Sequence, residues 1–414
     1  MSNIKVNGEI FRKHIKAAST VALKSGVTPM QYSVLIRANG NYVEICANSL
    51  SEAVQFCIET EDKASGTFAV AIDNADIKSL LNIKGSTITV AHEENSSLVT
   101  FTDGKKKMTI HCIDSAVDKT VAFSEYVYPF NADNTDKYME IFRVDSNELL
   151  TAIKKATIFT AKDDKRPILC GYHFNRNGKL ETVDGYRLFR KTWKTLEKVR
   201  DAEYDFVAGS FLENIKNIFS DKENVRLSCV QTDRWIIFQY EGNEYRSINT
   251  YYAVRTIDGE YHNCDASMPK SYNEQVHIDA GELAEICKEY KGYISAKDKR
   301  FMVLGAVNGK LYAGITTNRI SVAQSLEKCG KIDPASKIFA GYNAEYLMDG
   351  LSIFNKAEIT MRYIDEIHPM LLTDGEYDVL ILPCRIIDYD WRESEEEKNR
   401  KLSEKYDAFV KTCA

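Results

Sequence analysis

The residues able to do chemistry are dispersed along this chain. Its seven histidines and ten cysteines occur singly, with no CxxC pair and no Cys/His cluster at the spacing of a zinc site. The adjacent carboxylates Asp163 and Asp164 lie in a polar stretch, where a solvated turn is the ordinary explanation. The phosphate-binding loop, HExxH and GxSxG motifs do not occur. The sequence therefore predicts no catalytic residue, no metal site and no cofactor.

The composition is that of a globular protein without a membrane segment. The 414 residues have a formal net charge of -6 and a mean hydropathy of -0.34. No apolar run approaches the roughly 20 residues that span a bilayer, and the opening MSNIKVNGEIFRKHIKAAS lacks a signal-peptide core. We therefore expect a cytoplasmic protein with reduced thiols. The acidic balance argues against a simple basic nucleic-acid binder, although net charge does not describe any single face.

Basic residues beside the predicted helices are the remaining candidates, and the chemistry they suit is phosphate binding. Such side chains can contact a nucleic-acid backbone without reading its sequence. An ordinary solvated helix face is the alternative, and Glu282, Glu285 and Glu289 dilute the positive charge of the last set. The basic residues recur at comparable places along the chain: Arg12, Lys13, Lys16, Lys78, Lys154, Lys155, Lys216, Lys288 and Lys291.

The elements that position these residues repeat along the chain. An Asn-Gly pair between alternating apolar stretches favours the type I′ turn of a tight hairpin. Such pairs occur three times: Asn39-Gly40, Asn177-Gly178 and Asn308-Gly309. Candidate N-caps of a helix recur with the same period of about 135 residues: Asp73, Ser210 and Asn343. We expect Ser210 and Glu213 to form a capping box.

A strand that runs directly into a helix is a third feature with this period. After each such strand, apolar residues recur at i, i+3 or i+4, which indicates one buried helix face. The sets are Val6, Phe11, Ile15; Val144, Leu149, Ile153; and Ile278, Leu283, Ile286. About half a period separates each strand from the next candidate N-cap. The sequence therefore predicts three α+β domains, each holding two strand–helix–strand units.

We place the domains at residues 1–133, 138–270 and 271–387, with polar linkers between them. The charged tail, 388–414, belongs to no repeat. Within the tail, Ser394 and Glu397 predict a capping box, and an apolar helix stripe follows at Leu402, Tyr406, Phe409 and Val410. Because a free helix this short is marginal in water, we expect the stripe to dock on another surface.

Particular segments resemble the bacterial sliding clamps, the beta subunits of DNA polymerase III. RPILCGYHFNRNGKLETVDGYRLFRKT, residues 166–192, is similar to the second-domain hairpin of that family, and DGEYHNCDASMPK, residues 258–270, to its linker. The third-domain segments that resemble it are FAGYNAEYLMDGL, IHPMLL and LILPCRI, residues 339–351, 367–372 and 380–386. The chain departs from the family at Tyr186, where a His is usual, and at Cys384, where a Met is usual.

The resemblance implies clamp-type domains, each of two β-α-β-β-β units, in a head-to-tail homodimeric ring. The implied partners are double-stranded DNA, encircled without sequence preference, and DNA polymerase and clamp-loader peptides of the Gln-Leu-x-Leu-Phe kind. Such a processivity factor is an accessory subunit that catalyses no reaction. Two alternatives stay open: a clamp-fold adaptor that does not encircle DNA, and an enzyme on a repeated α+β scaffold.

The resemblance also assigns residues to three surfaces. It implies DNA contacts at Lys24, Lys165 and Arg166, with a structural ion pair as the alternative for Arg166. At the dimer interface it places Met108 and Ile110 against the partner's Ile294. The implied partner-peptide groove, for which buried core is the alternative, comprises Leu169, Val183, Gly185, Tyr186, Arg187, Leu188, Phe301, Asn343, Tyr346, Ile367, Pro369, Leu380, Leu382, Pro383, Cys384 and Arg385.

The tail has two possible docking places. It packs on the outer surface of the third domain, or it covers the groove, because it leaves the chain directly after Pro383–Ile386. If the tail covers the groove, deletion of residues 391–414 would tighten peptide binding.

Overall fold

The computed structural model describes residues 2–39, 41–62, 67–94, 96–113, 139–163, 165–193, 196–199, 205–220, 225–232, 234–241, 247–293, 301–316, 320–354, 358–387 and 394–413. The strands are β1 (Ser2–Asn7), β2 (Ser33–Asn39), β3 (Tyr42–Asn48), β4 (Glu52–Glu59), β5 (Phe68–Asp73), β6 (Thr87–His92), β7 (Leu98–Thr102), β8 (Lys107–His111), β9 (Met139–Asp145), β10 (Tyr172–Asn175), β11 (Lys179–Val183), β12 (Arg187–Thr192), β13 (Glu197–Lys198), β14 (Phe206–Ala208), β15 (Arg226–Gln231), β16 (Trp235–Glu241), β17 (Ser247–Arg255), β18 (Glu274–Asp279), β19 (Phe301–Val307), β20 (Lys310–Thr316), β21 (Ser321–Ser325), β22 (Phe339–Asn343), β23 (Glu358–Tyr363), β24 (Met370–Thr373) and β25 (Tyr377–Ile381). The α-helices are α1 (Gly8–Val21), α2 (Asn74–Leu80), α3 (Ser146–Ala156), α4 (Ile215–Phe219), α5 (Cys264–Ser267), α6 (Ala280–Lys291), α7 (Ala344–Leu351) and α8 (Glu395–Cys413).

The predicted step from strand into helix is confirmed at all three places, where β1 precedes α1, β9 precedes α3 and β18 precedes α6. Each of these strands ends in an Asn or Asp whose side chain accepts hydrogen bonds from the first turn of the helix. Asn7 accepts the N–H of Ile10 at 3.1 Å, and Asp279 accepts the N–H of Glu282 at 2.8 Å. The caps satisfy donors that would otherwise have no partner, so each helix begins directly after its strand.

The second helix of each repeat shows one correction. Asp73 and Asn343 cap α2 and α7 as predicted. The prediction for Ser210 was wrong, because Ser210 is the first residue of a 3₁₀ turn, Ser210–Asn214, and Gly209 takes the cap position. Gly209 lies so close to β17 that a Cβ atom there would be 3.0 Å from the carbonyl oxygen of Arg255. The N–H of Gly209 donates to that carbonyl oxygen at 2.8 Å, which holds Gly209 in the extended cap conformation, and the predicted capping box does not form.

The third Asn-Gly turn, Asn308-Gly309, has the predicted conformation. Val307 pairs with Lys310 across the β19–β20 hairpin, and Asn308 and Gly309 both have positive φ angles, of 51° and 76°. Two successive left-handed residues are the requirement of a type I′ turn. At the second position, Gly178 has a φ of 71°.

The first compact unit comprises Met1–Lys154, Gly171–Arg176 and Lys194–Gly259. It contains a four-stranded sheet of order β1-β6-β7-β8 and a nine-stranded sheet of order β13-β9-β15-β16-β17-β4-β3-β2-β5. The larger sheet is continuous because β17 pairs antiparallel with β4. Helix α1 packs on β3 and β4 and also contacts α2 and α4.

The second compact unit comprises Lys155–Cys170, Asn177–Trp193 and Glu260–Ala414. Six strands follow one another in the order β11-β12-β25-β24-β23-β18, and four more form the sheet β21-β20-β19-β22. Here β12 pairs antiparallel with β25, with Phe189 opposite Val379. Helices α6 and α7 pack on each other, and α7 also contacts β25.

The order of elements repeats three times and confirms the α+β fold class. The first repeat is β1-α1-β2-β3-β4 followed by β5-α2-β6-β7-β8, and the third is β18-α6-β19-β20-β21 followed by β22-α7-β23-β24-β25. The second repeat has the same order with the short strand β13 added. Because the two compact units divide the second repeat between them, the domain boundaries named above stay predictions.

Candidate partner groove and nucleic-acid contacts

Three of the predicted groove residues belong to a buried cluster in the second unit. Val183, Leu188 and Leu380 are at most 7% exposed and pack with Cys264 and Leu371. The pairing of β12 with β25 places Leu188 directly opposite Leu380. These three side chains therefore lie in the core, which was the alternative given for them.

Side chains from the 258–272 segment pack against this cluster. Tyr261, Met268 and Tyr272 are partly buried against it. The hydroxyl of Tyr261 accepts the N–H of Val183 at 3.1 Å, and the guanidinium of Arg362 stacks over Tyr272 at 4.7 Å. The sequence identified this segment only as a linker. Its three large apolar side chains within 12 residues were the signal that it packs on a surface.

Three of the exposed residues of the predicted groove are aromatic or aliphatic. Tyr186 is 60% exposed, Ile367 61% and Leu382 42%. The ring of Tyr186 lies 5.8 Å from the ring of Tyr346, and its carbonyl oxygen accepts the N–H of Leu382 at 2.9 Å. Exposed apolar side chains that adjoin one another favour contact with another protein.

Arg187 holds this rim in place. Its guanidinium donates to Asp184 at 2.8 Å, to Asp349 at 2.5 Å and to the carbonyl oxygen of Ile158 at 3.1 Å. The same group lies 4.5 Å from the ring centroid of Tyr346. Because each of its three nitrogens already donates to a partner within the protein, the role of Arg187 is to orient Tyr346 and the turn before β12 rather than to present a free charge.

Other predicted groove residues have structural duties. Asn343 caps α7, and the N–H of Cys384 donates to the carbonyl oxygen of Gly341 at 2.7 Å, which ties the segment after β25 to β22. Phe301 pairs with Asn343 across β19 and β22. Gly185 has a φ of 93°, so a side chain there would be strained. Leu169 is buried, Pro369 and Pro383 are half-buried, and Arg385 is exposed.

The three predicted DNA contacts are exposed side chains. Lys24 lies in the first unit, and Lys165 and Arg166 lie in the second. The alternative for Arg166 was an ion pair, but within the described ranges no carboxylate lies close enough to form one. The structure therefore leaves all three cations accessible to solvent.

Three of the basic helix residues are engaged within the protein. Arg12 donates to the carbonyl oxygen of Gly85 at 2.8 Å, Lys291 pairs with Glu345 at 2.9 Å, and Lys155 is only 9% exposed. Burial lowers the pKa of Lys155. Arg12 and Lys155 are corrections to the predicted phosphate-binding set, whereas Lys291 remains exposed beside Glu345. The exposed members are Lys13, Lys16, Lys78, Lys154, Lys216, Lys288 and Lys291.

Two strands that end a sheet, β8 and β21, hold the same places in the repeat as strands that pair within the chain. Strand β17 pairs with β4 in the first unit, and β25 pairs with β12 in the second. By their places in the repeat, β8 corresponds to β17 and β25, and β21 corresponds to β4 and β12. Within the residues that the structure describes, β8 and β21 each end a sheet. In the part of the chain that the structure describes, β8 and β21 therefore lack the strand pairing that their counterparts in the repeat make.

Of the two side chains predicted for the β8 edge, Met108 is half-buried and Ile110 is buried. Ile110 is 7% exposed and pairs with Val99 of its own sheet. The N–H of Cys112 donates to Ser97, so the alternation of an antiparallel ladder turns the N–H of Thr109 outwards. Ile294, the predicted counterpart, lies outside the described residues.

Comparison with known proteins gives a consistent result. A protein of Streptococcus pneumoniae serotype 4 named Beta sliding clamp is 22% identical over 408 residues, which cover 93% of this chain and 100% of that protein. A solved DNA polymerase sliding clamp from Bacillus subtilis superimposes with a TM-score of 0.78 at 14% identity, covering 93% of this chain and 100% of that structure. This chain has the fold of the beta sliding clamps. A DNA polymerase III beta subunit from Thermotoga maritima agrees, with a TM-score of 0.76, 17% identity, and coverage of 94% and 100%.

The resemblance found in the sequence is confirmed, and the chain is a divergent relative of the beta sliding clamps. No family profile matches it. Among the described residues, no group of three or more His, Cys, Asp or Glu side chains is placed to hold a metal ion. No described helix is long and apolar enough to cross a membrane.

The tail helix α8 docks on the clamp fold in the second unit. Phe409 is 7% exposed and lies over two glycines, Gly305 of β19 and Gly314 of β20. A Cβ atom at either glycine would lie within 2.6 Å of the ring, so only glycine leaves room for it. We call this the glycine socket. Tyr406 adds a hydrogen bond from its hydroxyl to the carbonyl oxygen of Ala306 at 2.8 Å.

The docking agrees with the first of the two places given for the tail, a sheet face of the third repeat. The N-terminal half of α8 nevertheless reaches the predicted groove. It forms one side of a cavity of about 420 Å³ whose other side includes Ile367, Pro383 and Arg385. Four residues of the tail line this cavity, and the resemblance had assigned none of them: Glu395, Lys398, Asn399 and Leu402.

Proposed function

We propose that this chain is a DNA sliding clamp, a non-catalytic processivity factor that encircles duplex DNA and tethers a DNA polymerase. The observation that supports this most is the full-length match, in which 93% of the chain covers the whole of a solved clamp at a TM-score of 0.78. A clamp holds DNA by topology and needs no reactive side chains. The dispersed histidines and cysteines are in keeping with that role. From the same full-length match to a sliding clamp, we propose a cytoplasmic location.

The proposed ring is a homodimer joined head to tail. The open edges β8 and β21 support it, because their equivalents in the repeat already pair within the chain as β17 with β4 and β25 with β12. Head-to-tail contacts between two different edges close into a ring when the rotation between subunits allows it. An exposed strand edge also needs a partner or protection, and pairing with a second copy supplies one.

The proposed DNA face consists of helices and nearby loops. In the first unit, α1 contacts both α2 and α4, and each of the three helices has an exposed lysine: Lys16, Lys78 and Lys216. Together with Lys24, Lys165 and Arg166, these cations would contact phosphates without reading base sequence. Because the ring retains the DNA by topology, weak and salt-sensitive contacts are sufficient. A net charge of -6 is therefore compatible with DNA as the partner.

The proposed partner groove receives an extended peptide with aliphatic and aromatic anchors. Its rim is formed by Tyr186, Tyr346 and Leu382, which adjoin one another, and Ile367 is exposed as well. Apolar anchors surrounded by polar groups are the usual arrangement of a peptide-binding surface. Polymerase and clamp-loader peptides of the Gln-Leu-x-Leu-Phe kind are the proposed ligands.

The solution mass tests the ring. Light scattering at low micromolar concentration should give twice the 47.0 kDa mass of the chain. A mass of 47.0 kDa over the whole concentration range would favour an adaptor that does not encircle DNA.

Topological retention tests the DNA function. Protein diluted until it dissociates is mixed with nicked circular plasmid and then concentrated, so that rings close around the DNA. The protein should co-elute with the circular plasmid in high salt and should be released when a restriction enzyme linearises it. Equal retention on circular and linear DNA would contradict encirclement.

A further inference from the structure

The tail helix α8 changes character along one face. At its C-terminal half, Tyr406 and Phe409 lie on this face and dock on the sheet. Towards the N-terminus the same face continues through Leu402 and Asn399 to Glu395, at the i, i+3, i+4 and i+7 spacing of a helix. Glu395 and Asn399 of this half line the cavity next to the predicted groove, and Leu402 lines the cavity while it also packs against the sheet. The face of α8 that docks on the sheet therefore also forms one side of the cavity.

The opposite side of the cavity is formed by the ends of the last strands. Ile367 lies there and remains 61% exposed although the tail is docked, and Pro383 and Ile386 lie beside it. A cavity of about 420 Å³ is within the range of about 300–1,000 Å³ usual for small ligand sites. The space is therefore large enough for a side chain with its adjoining backbone, and Ile367 offers an apolar contact.

The tail is held too firmly to act as a lid. The glycine socket encloses the ring of Phe409, and Phe339 packs edge-on against Tyr406 at 5.2 Å. Both contacts lie within one or two helix turns of Leu402, so the N-terminal half extends from a fixed base. A wall of this kind changes what fits beside the groove without competing for the groove itself.

We propose that α8 is a permanent second wall of the partner groove and selects the residue that flanks the anchor of a bound peptide. This inference rests on the proposed function, which supplies the peptide. Two acidic and two basic side chains line the cavity, Glu366 and Glu395 with Arg385 and Lys398, and their charges cancel. A charged flanking residue gains nothing there, whereas a leucine can contact Ile367 and Leu402. The selected residue is therefore aliphatic.

Fluorescence anisotropy with matched peptides tests this selection on the full chain. The probes are labelled Gln-Leu-Ser-Leu-Phe and the same peptide extended by Leu or by Gly, at either end. In the unaltered protein the Leu extension at one end should bind about tenfold tighter than Gly, as expected for one apolar side chain. Asn399→Trp fills the cavity and should remove that preference.

The control is Glu404→Trp, which places the same ring on the exposed opposite face of α8. Circular dichroism verifies that both variants keep the helix, and the control should retain the Leu preference. Equal binding of Leu- and Gly-extended peptides by the unaltered protein would overturn this inference and leave the proposed function standing. Failure of every peptide to bind any form would overturn the proposed groove, and this inference with it.

Discussion

Glu52 is a buried acid at the place where the first and second repeats join. It lies in β4, is 3% exposed, and contacts Tyr252 of the paired strand β17. The hydroxyl of Tyr252 lies 2.7 Å from a carboxyl oxygen of Glu52 and also 2.7 Å from the carbonyl oxygen of Phe211. One hydroxyl proton cannot serve both oxygens. If Glu52 is protonated, it donates to Tyr252 and Tyr252 donates to Phe211, so every contact has a proton.

Burial raises the pKa of Glu52 from its ordinary 4.5 to about 7, against the opposing effect of the hydrogen bonds from Tyr252 and Asn214. The folded protein therefore holds this proton more tightly than the unfolded chain. Its stabilising effect is complete below pH 4.5, is lost as the pH rises from 4.5 to 7, and stays lost above pH 7. At about 1.4 kcal/mol for each tenfold change in proton affinity, the whole loss is about 3 kcal/mol.

Glu52→Gln is neutral at every pH, so this loss should disappear from the variant. Urea unfolding followed by fluorescence from pH 4 to 8.5 gives the free energy of unfolding of each protein. We expect the variant to gain about 3 kcal/mol relative to the unaltered chain between pH 4 and pH 8. Glu59→Gln, an exposed substitution on the same strand, is the matched control. Its free energy of unfolding should change with pH in the same way as that of the unaltered chain. If the free energy of unfolding of Glu52→Gln showed the same pH dependence as that of the unaltered chain, the folded protein would hold Glu52 ionised and the proton assignment would be refuted.

Three further predictions concern the ring, the DNA face and the tail. Thr109→Pro removes an outward N–H of β8 together with the hydroxyl contact to Thr100, so light scattering should show monomers. Thr109→Val removes the same hydroxyl but keeps the N–H and should stay dimeric; a dimeric proline variant would exclude this edge from the interface. Joint replacement of Lys24, Lys165 and Arg166 by Ala should reduce the salt slope of DNA binding by about 2 to 3, and an unchanged slope would remove these residues from the DNA face. Phe409→Ala empties the glycine socket and should lower the free energy of unfolding of the second unit by about 3 kcal/mol, measured by urea denaturation. A loss no larger than that of an exposed tail substitution would show that the socket does not hold the helix.

Local patterns were sufficient to predict the repeated architecture. Asn308-Gly309 specifies its hairpin because both residues tolerate positive φ angles. The caps Asp73 and Asn343 start helices because a short polar side chain reaches N–H groups of its own first turn. Each of these signals acts over a few residues, so the amino-acid order alone determines it. Their spacing along the chain then indicated the three repeats.

Contacts between distant segments were decided only by the tertiary structure. Gly209 replaced Ser210 as the cap because its N–H is bound to Arg255 of β17, about 45 residues later in the chain. Leu380 is core because β25 pairs with β12, and periodicity within one strand does not reveal which strand will lie beside it.

The tail shows the same division most clearly. Its sequence alone determined that it has an amphipathic helix with a stripe through Leu402, Tyr406 and Phe409. Its docking place depended on Gly305 and Gly314, whose missing side chains form a socket only after β19 and β20 pair. A cavity of that shape belongs to neither strand separately, so it exists only once the sheet has formed and leaves no local pattern in the sequence.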